Sequence, residues 1–68
     1  LKNKLEELRK NKHISQEDLA NHLKVSRQTI NSLEKGKYNP SILLAFKIAI
    51  FFNQKIEDIF TYEEEIDK

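Results

Sequence analysis

Five polar side chains crowd six consecutive positions: Arg27, Gln28, Thr29, Asn31 and Ser32, interrupted only by Ile30. One is a cation, two are primary amides, two are hydroxyls, and none is acidic. Wound into a helix, the run puts Ile30 and Leu33 on a buried edge and the polar groups on a projecting one. Such side chains hydrogen-bond to base edges in a DNA groove and to phosphate oxygens. Arg27 stands at the start of this helix, where a cation opposes the positive end of the helix dipole. Its position is poor for the helix and suits a role toward an anion.

No comparable cluster supports catalysis. His13 and His22 lie nine residues apart on separate helices, and no Cys or carboxylate triad organises them. We therefore expect no catalytic residue, no metal and no cofactor. The chain has no Cys, which excludes disulfides and thiolate zinc sites and fits a reducing, cytoplasmic setting. An apolar stretch as long as any in the chain, residues 48–52, is far too short to span a membrane, and no signal-peptide pattern is present. At 68 residues the chain is a single small domain, in which no enclosed small-molecule site is expected. With no Met, the sequence is expected to begin downstream of an initiator.

The elements that must position the polar run follow from spacing and caps. Leu1, Leu5 and Leu8 recur on one face of a helix over residues 2–12. Ser15 is an N-cap with Asp18 as its reciprocal partner, opening a helix over residues 16–23 that buries Leu19, Ala20 and Leu23. After a break at residues 24–26, Ser26 caps a helix over residues 27–35, and Gly36 ends it. A loop over residues 37–40 leads, through Pro40 and Ser41, into a fourth helix to Phe52, with Asn53 as its cap. A fifth, very short helix covers residues 56–60. The fold class is all-α: a compact five-helix bundle. Residues 1–60 form the domain and residues 61–68 an acidic C-terminal tail. The single Gly, where composition averages give about five, accords with helices and short connections.

Residues 16–35 have the spacing of two short helices joined by a tight turn. The segments Ile14-Ser-Gln-Glu-Asp-Leu-Ala20, Val25-Ser-Arg-Gln-Thr-Ile30 and Leu33-Glu-Lys-Gly-Lys-Tyr-Asn-Pro-Ser41 resemble the phage-repressor and Cro-type helix-turn-helix family. The likeness is greatest to its stand-alone regulators of roughly 70 residues, and it covers about residues 3–60. It implies a lambda-repressor-like DNA-binding fold with helices two and three as the helix-turn-helix. It further implies that Gln16 contacts phosphate and braces Gln28, which reads adenine, while Arg27, Asn31 and Ser32 face bases. Ser26, Thr29, Lys35, Lys37, Tyr38 and Asn39 would lie along the DNA backbone, although Tyr38 could instead pack over its loop. Arg9 and Glu34 match a structural pair joining the first helix to the end of the third.

Departures from the family pattern are informative. Lys24 stands at the turn, and His13 and Asn53 at two other helix ends, where Gly is usual. Leu43 and Ile50 fall where polar residues are usual, and with Phe46 between them they make an extra apolar stripe on helix four. A second copy could cover it, with Ile56, Ile59 and Phe60 contributing, or the tail could fold back over it through Tyr62 and Ile66.

The net charge of +1 conceals an asymmetry. Residues 1–55 hold eleven basic and five acidic residues, a net +6, whereas residues 56–68 hold one basic and six acidic, a net −5. A basic body suits a polyanion. The expected function is sequence-specific binding of double-stranded DNA by a homodimeric repressor at a near-palindromic operator, in the cytoplasm on nucleoid DNA. The alternative is a protein-interaction module, antitoxin-like or part of a larger regulator, that uses the same fold without reading DNA.

Overall fold

The computed structural model describes residues 1–62. Five helices occupy them: α1 (Leu5–Asn11), α2 (Gln16–Leu23), α3 (Arg27–Glu34), α4 (Ile42–Phe52) and α5 (Ile56–Ile59). Two short strands, β1 (Lys2–Asn3) and β2 (Phe60–Thr61), pair antiparallel, with Lys2 opposite Thr61 and Asn3 opposite Phe60. This ladder was not expected, and it explains why α1 starts three residues later than its leucine spacing suggests. Asn3 is a bracket. Its Oδ1 accepts the Leu5 N–H at 3.0 Å, and its Nδ2 donates to the Leu33 carbonyl at 2.8 Å. The Lys4 N–H donates to the Ile59 carbonyl at 2.9 Å, so residues 2–4 are tied to the end of α5 and to β2.

Serine hydroxyls set the starts of α2, α3 and α4. Ser15 accepts from the Asp18 N–H while the Asp18 carboxylate accepts from the Ser15 N–H, a complete capping box. Ser26 and Ser41 cap α3 and α4 by accepting from the Thr29 and Leu44 N–H groups. The ends of α1 to α4 share one device. His13, Lys24, Gly36 and Asn53 all have left-handed φ, at 59°, 60°, 72° and 56°. The next residue's N–H then returns to a carbonyl five positions back: Ile14 to Arg9, Val25 to Ala20, Lys37 to Ser32 and Gln54 to Ala49. Each is a Schellman closure, which satisfies carbonyls that the helix end would otherwise leave unpaired.

The core comprises Leu5, Leu19, Ala20, Leu23, Ile30, Leu33, Leu44, Ala45, Ile48, Phe52, Ile59 and Phe60. Ala20 is 2% exposed where α2 packs on α3, and a longer side chain there would force them apart. Two residues expected at a dimer contact belong instead to this core. Ile59 is fully buried and Phe60 is 8% exposed within one chain, because α5 packs Ile59 against α4 and β2 pairs with β1. Phe60 also lies in the strand rather than in α5.

Candidate nucleic-acid interface

Ser26 fixes how α3 enters its position. Its hydroxyl accepts the Thr29 N–H at 3.0 Å and lies 2.9 Å from Thr29 Oγ1, so both side chains are engaged at the helix start. Ile30 and Leu33 anchor the inner edge and are fully buried. The opposite edge then projects. Arg27 and Gln28 are exposed, while Thr29, Asn31 and Ser32 are half-buried. Beyond the helix, Lys35, Lys37, Tyr38 and Asn39 are exposed along the following loop. Ser26, Gln28, Thr29, Ser32, Lys37 and Tyr38 line one open concavity. Tyr38 is 45% exposed on its wall.

Behind this surface lies an ion pair. Arg9 Nε donates to Glu34 Oε2 at 2.7 Å and Nη2 to Oε1 at 3.3 Å, while Nη1 donates to the Ile14 carbonyl at 2.8 Å. The side chains are 11% and 3% exposed. The hydrogen bond to Glu34 raises the Arg9 pKa above its already high ordinary value, against the opposing effect of burial. The expected pairing of Arg9 with Glu34 is therefore present, and it ties α1 to the end of α3.

Gln16 is engaged within the protein. Its Nε2 donates to Glu34 Oε1 at 3.0 Å and to Asn31 Oδ1 at 3.3 Å. Both amide hydrogens are thus committed within the protein, and the brace runs to Asn31, not to Gln28. The physical reason is the carboxylate: Glu34 only accepts, so it draws the Gln16 amide nitrogen inward. The spacing of Asn31 and Glu34, three apart on one helix face, carried a signal for this cluster.

The outer face of α4 is apolar. Leu43, Phe46 and Ile50 are 63%, 51% and 77% exposed, and Ile42, which had not been singled out, is 75% exposed. Ile56 is half-buried. Tyr62 does not cover this face, being 78% exposed itself, and Ile66 lies outside the described residues. Among the described residues no group of three or more His, Cys, Asp or Glu could hold a metal ion, and no helix is long and apolar enough to cross a membrane.

A model of the helix-turn-helix family matches residues 5–59, most of the chain. The chain belongs to the helix-turn-helix family. Within it, the member type is that of the phage repressors and Cro. An HTH-type transcriptional regulator of Methanocaldococcus jannaschii is 62% identical over 65 residues, which cover 96% of this chain and 98% of that protein. The HTH-type transcriptional regulator YgzD of Bacillus subtilis is 51% identical over the same shares of both chains. The HTH-type transcriptional activator BcrR of Enterococcus faecalis is 40% identical over 63 residues, 93% of this chain but 31% of that longer protein. This helix-turn-helix protein is a DNA-binding transcriptional regulator and not an enzyme.

Proposed function

We propose that the protein acts as a symmetric homodimer that reads a near-palindromic operator in the major groove and represses transcription by occupying it. The observation that carries this reading is the projecting edge of α3, where Arg27 and Gln28 are exposed and Asn31 and Ser32 half-buried, none of the four being acidic. These four would face bases. Ser26, Thr29, Lys35, Lys37, Tyr38 and Asn39 flank them on the concavity and loop and would follow the phosphates. Gln16 enters this set through Asn31 and not by its own amide donors, which are occupied.

The dimer is supported by the outer face of α4. A helix apolar on nearly every side, as α4 is but for Lys47, is normally buried throughout, yet Ile42, Leu43, Phe46 and Ile50 lie open in the single chain. Two α3 helices so joined would enter successive major grooves about 34 Å apart. The protein would work in the cytoplasm, on the nucleoid.

Selection of bound duplexes from a random pool tests the reading as a whole. The expected result is an inverted repeat whose half-sites lie one helical turn apart, bound with affinity that falls steeply with salt. Absence of any enriched sequence, together with salt-insensitive weak binding, would refute it in favour of a protein-interaction module. Transcription from a promoter carrying the selected site then separates repression from activation, the activity named for BcrR.

A further inference from the structure

A carboxylate buried behind α3 fixes the polarity of a side chain on its surface. Ionised Glu34 has acceptors and no donor. Two of its contacts come from Arg9, and the third must be a donor, so the Gln16 amide can face it only through Nε2. The second hydrogen on that same nitrogen is aimed at Asn31, which can meet it only with Oδ1. The Asn31 amide is therefore locked with its oxygen inward, and its Nδ2, bearing two hydrogens, faces outward. An isolated asparagine on a helix surface flips freely and can offer either end. This one cannot.

We propose that Asn31 is an obligate hydrogen-bond donor toward DNA, oriented by Glu34 through the positioning residue Gln16. The inference rests on α3 being the DNA-reading helix and adds what that helix can read. The position opposite Asn31 must present an acceptor: a purine N7, guanine O6, thymine O4 or a phosphate oxygen. Cytosine, whose major-groove edge offers a donor at N4, is disfavoured there. The relay also gives the buried Arg9–Glu34 pair a purpose beyond joining helices, because the same charge that holds α1 to α3 sets one polarity of the surface.

Two measurements test this. The first needs no DNA: side-chain amide hydrogen exchange of the free protein by NMR. Gln16 Nε2 hydrogens should be protected and Asn31 Nδ2 hydrogens unprotected, and Gln16→Leu should leave the fold intact while removing the constraint on Asn31. Protection of Asn31 in place of Gln16 overturns the proposal. The second compares selected DNA pools for the wild type, Asn31→Asp and Gln16→Leu. Asn31→Asp retains an oxygen for Gln16 but turns the outward group into an acceptor. It should shift preference at one symmetry-related pair of positions toward cytosine, by roughly tenfold. Gln16→Leu should flatten preference at the same positions.

If Asn31→Asp instead weakens binding alike on all sequences, and Gln16→Leu weakens it less, the acceptor is a phosphate and the donor display stands. Unchanged preference and affinity in both variants, or a change with Asn31→Asp that Gln16→Leu does not share, refutes the relay. A wild type that enriches no sequence counts against DNA reading itself, and the exchange measurement then decides the relay independently.

Discussion

At Lys24 the backbone turns through φ 60° with a full lysine side chain in place. The left-handed region brings Cβ against the following carbonyl and costs about 1 kcal/mol or more for an L-residue. The closure between Val25 N–H and the Ala20 carbonyl is made by backbone alone, so it does not depend on the lysine side chain. Lys24→Gly should therefore raise stability by about 1 kcal/mol, less whatever the freer glycine gains when unfolded. Urea unfolding checks this, and a loss of about 0.5–1 kcal/mol, the entropic cost of glycine alone, would show that the strain is absent. Arg9 is the opposite case. Glu34 is 3% exposed, so Arg9→Met leaves a carboxylate buried with Gln16 as its remaining side-chain partner besides solvent. The expected loss is roughly 3 kcal/mol, much of it recovered when Glu34 is also replaced by Leu. A double variant no better than the single one would place the cost in packing instead of charge.

Among the elements, α4 makes the clearest demand. Its inner face supplies Leu44, Ala45, Ile48 and Phe52 to the core, while Ile42, Leu43, Phe46 and Ile50 form a second apolar face with no cover in the single chain. Leu43→Lys combined with Ile50→Lys should convert a dimer to a monomer in sedimentation experiments with little change in helix content. It should also weaken operator binding far more than binding to an isolated half-site. An unchanged association state would exclude this face. The sequence made α4's two faces legible but could not divide its neighbours between them: Ile56, Ile59 and Phe60 are all apolar, and only the fold sends Ile59 and Phe60 inside. Helices and caps were readable because they depend on residues three or four apart. The β1–β2 pairing joins residues 59 and 57 positions apart through two backbone steps each, a contact with no local pattern to announce it. The Gln16 brace was hidden for a related reason: its direction is set by a carboxylate 18 residues away.

For the whole molecule, the +6 body and −5 end concern binding more than folding. Lys35 and Lys37 give two phosphate-facing cations per protomer at the proposed interface, and four in a dimer. If each neutralises one phosphate, log affinity should fall against log salt with a slope of about −4, on the order of a hundredfold between 50 and 200 mM. Lys37→Ala should reduce the magnitude of that slope by about 2 in the dimer, alike on operator and random DNA, whereas Gln28→Ala should lower affinity for the operator and leave the slope alone. Filter binding over a salt series separates the two. Equal effects on both DNAs from both changes would mean that neither side chain reads sequence.

The two-residue ladder has an architectural consequence. Because Lys2 stands opposite Thr61, the chain enters and leaves the domain side by side. A polypeptide could thus carry this fold as an insertion in one of its surface loops, needing little more than the width of a strand pair between the flanking segments. Spliced by flexible linkers into an exposed turn of an unrelated host, it should retain its own melting transition. The same doorway would transmit tension from either flank to the same end of the ladder, so that pulling opens it one pair at a time, starting at Lys2 and Thr61. Asn3 would lose its bracket before any helix is disturbed.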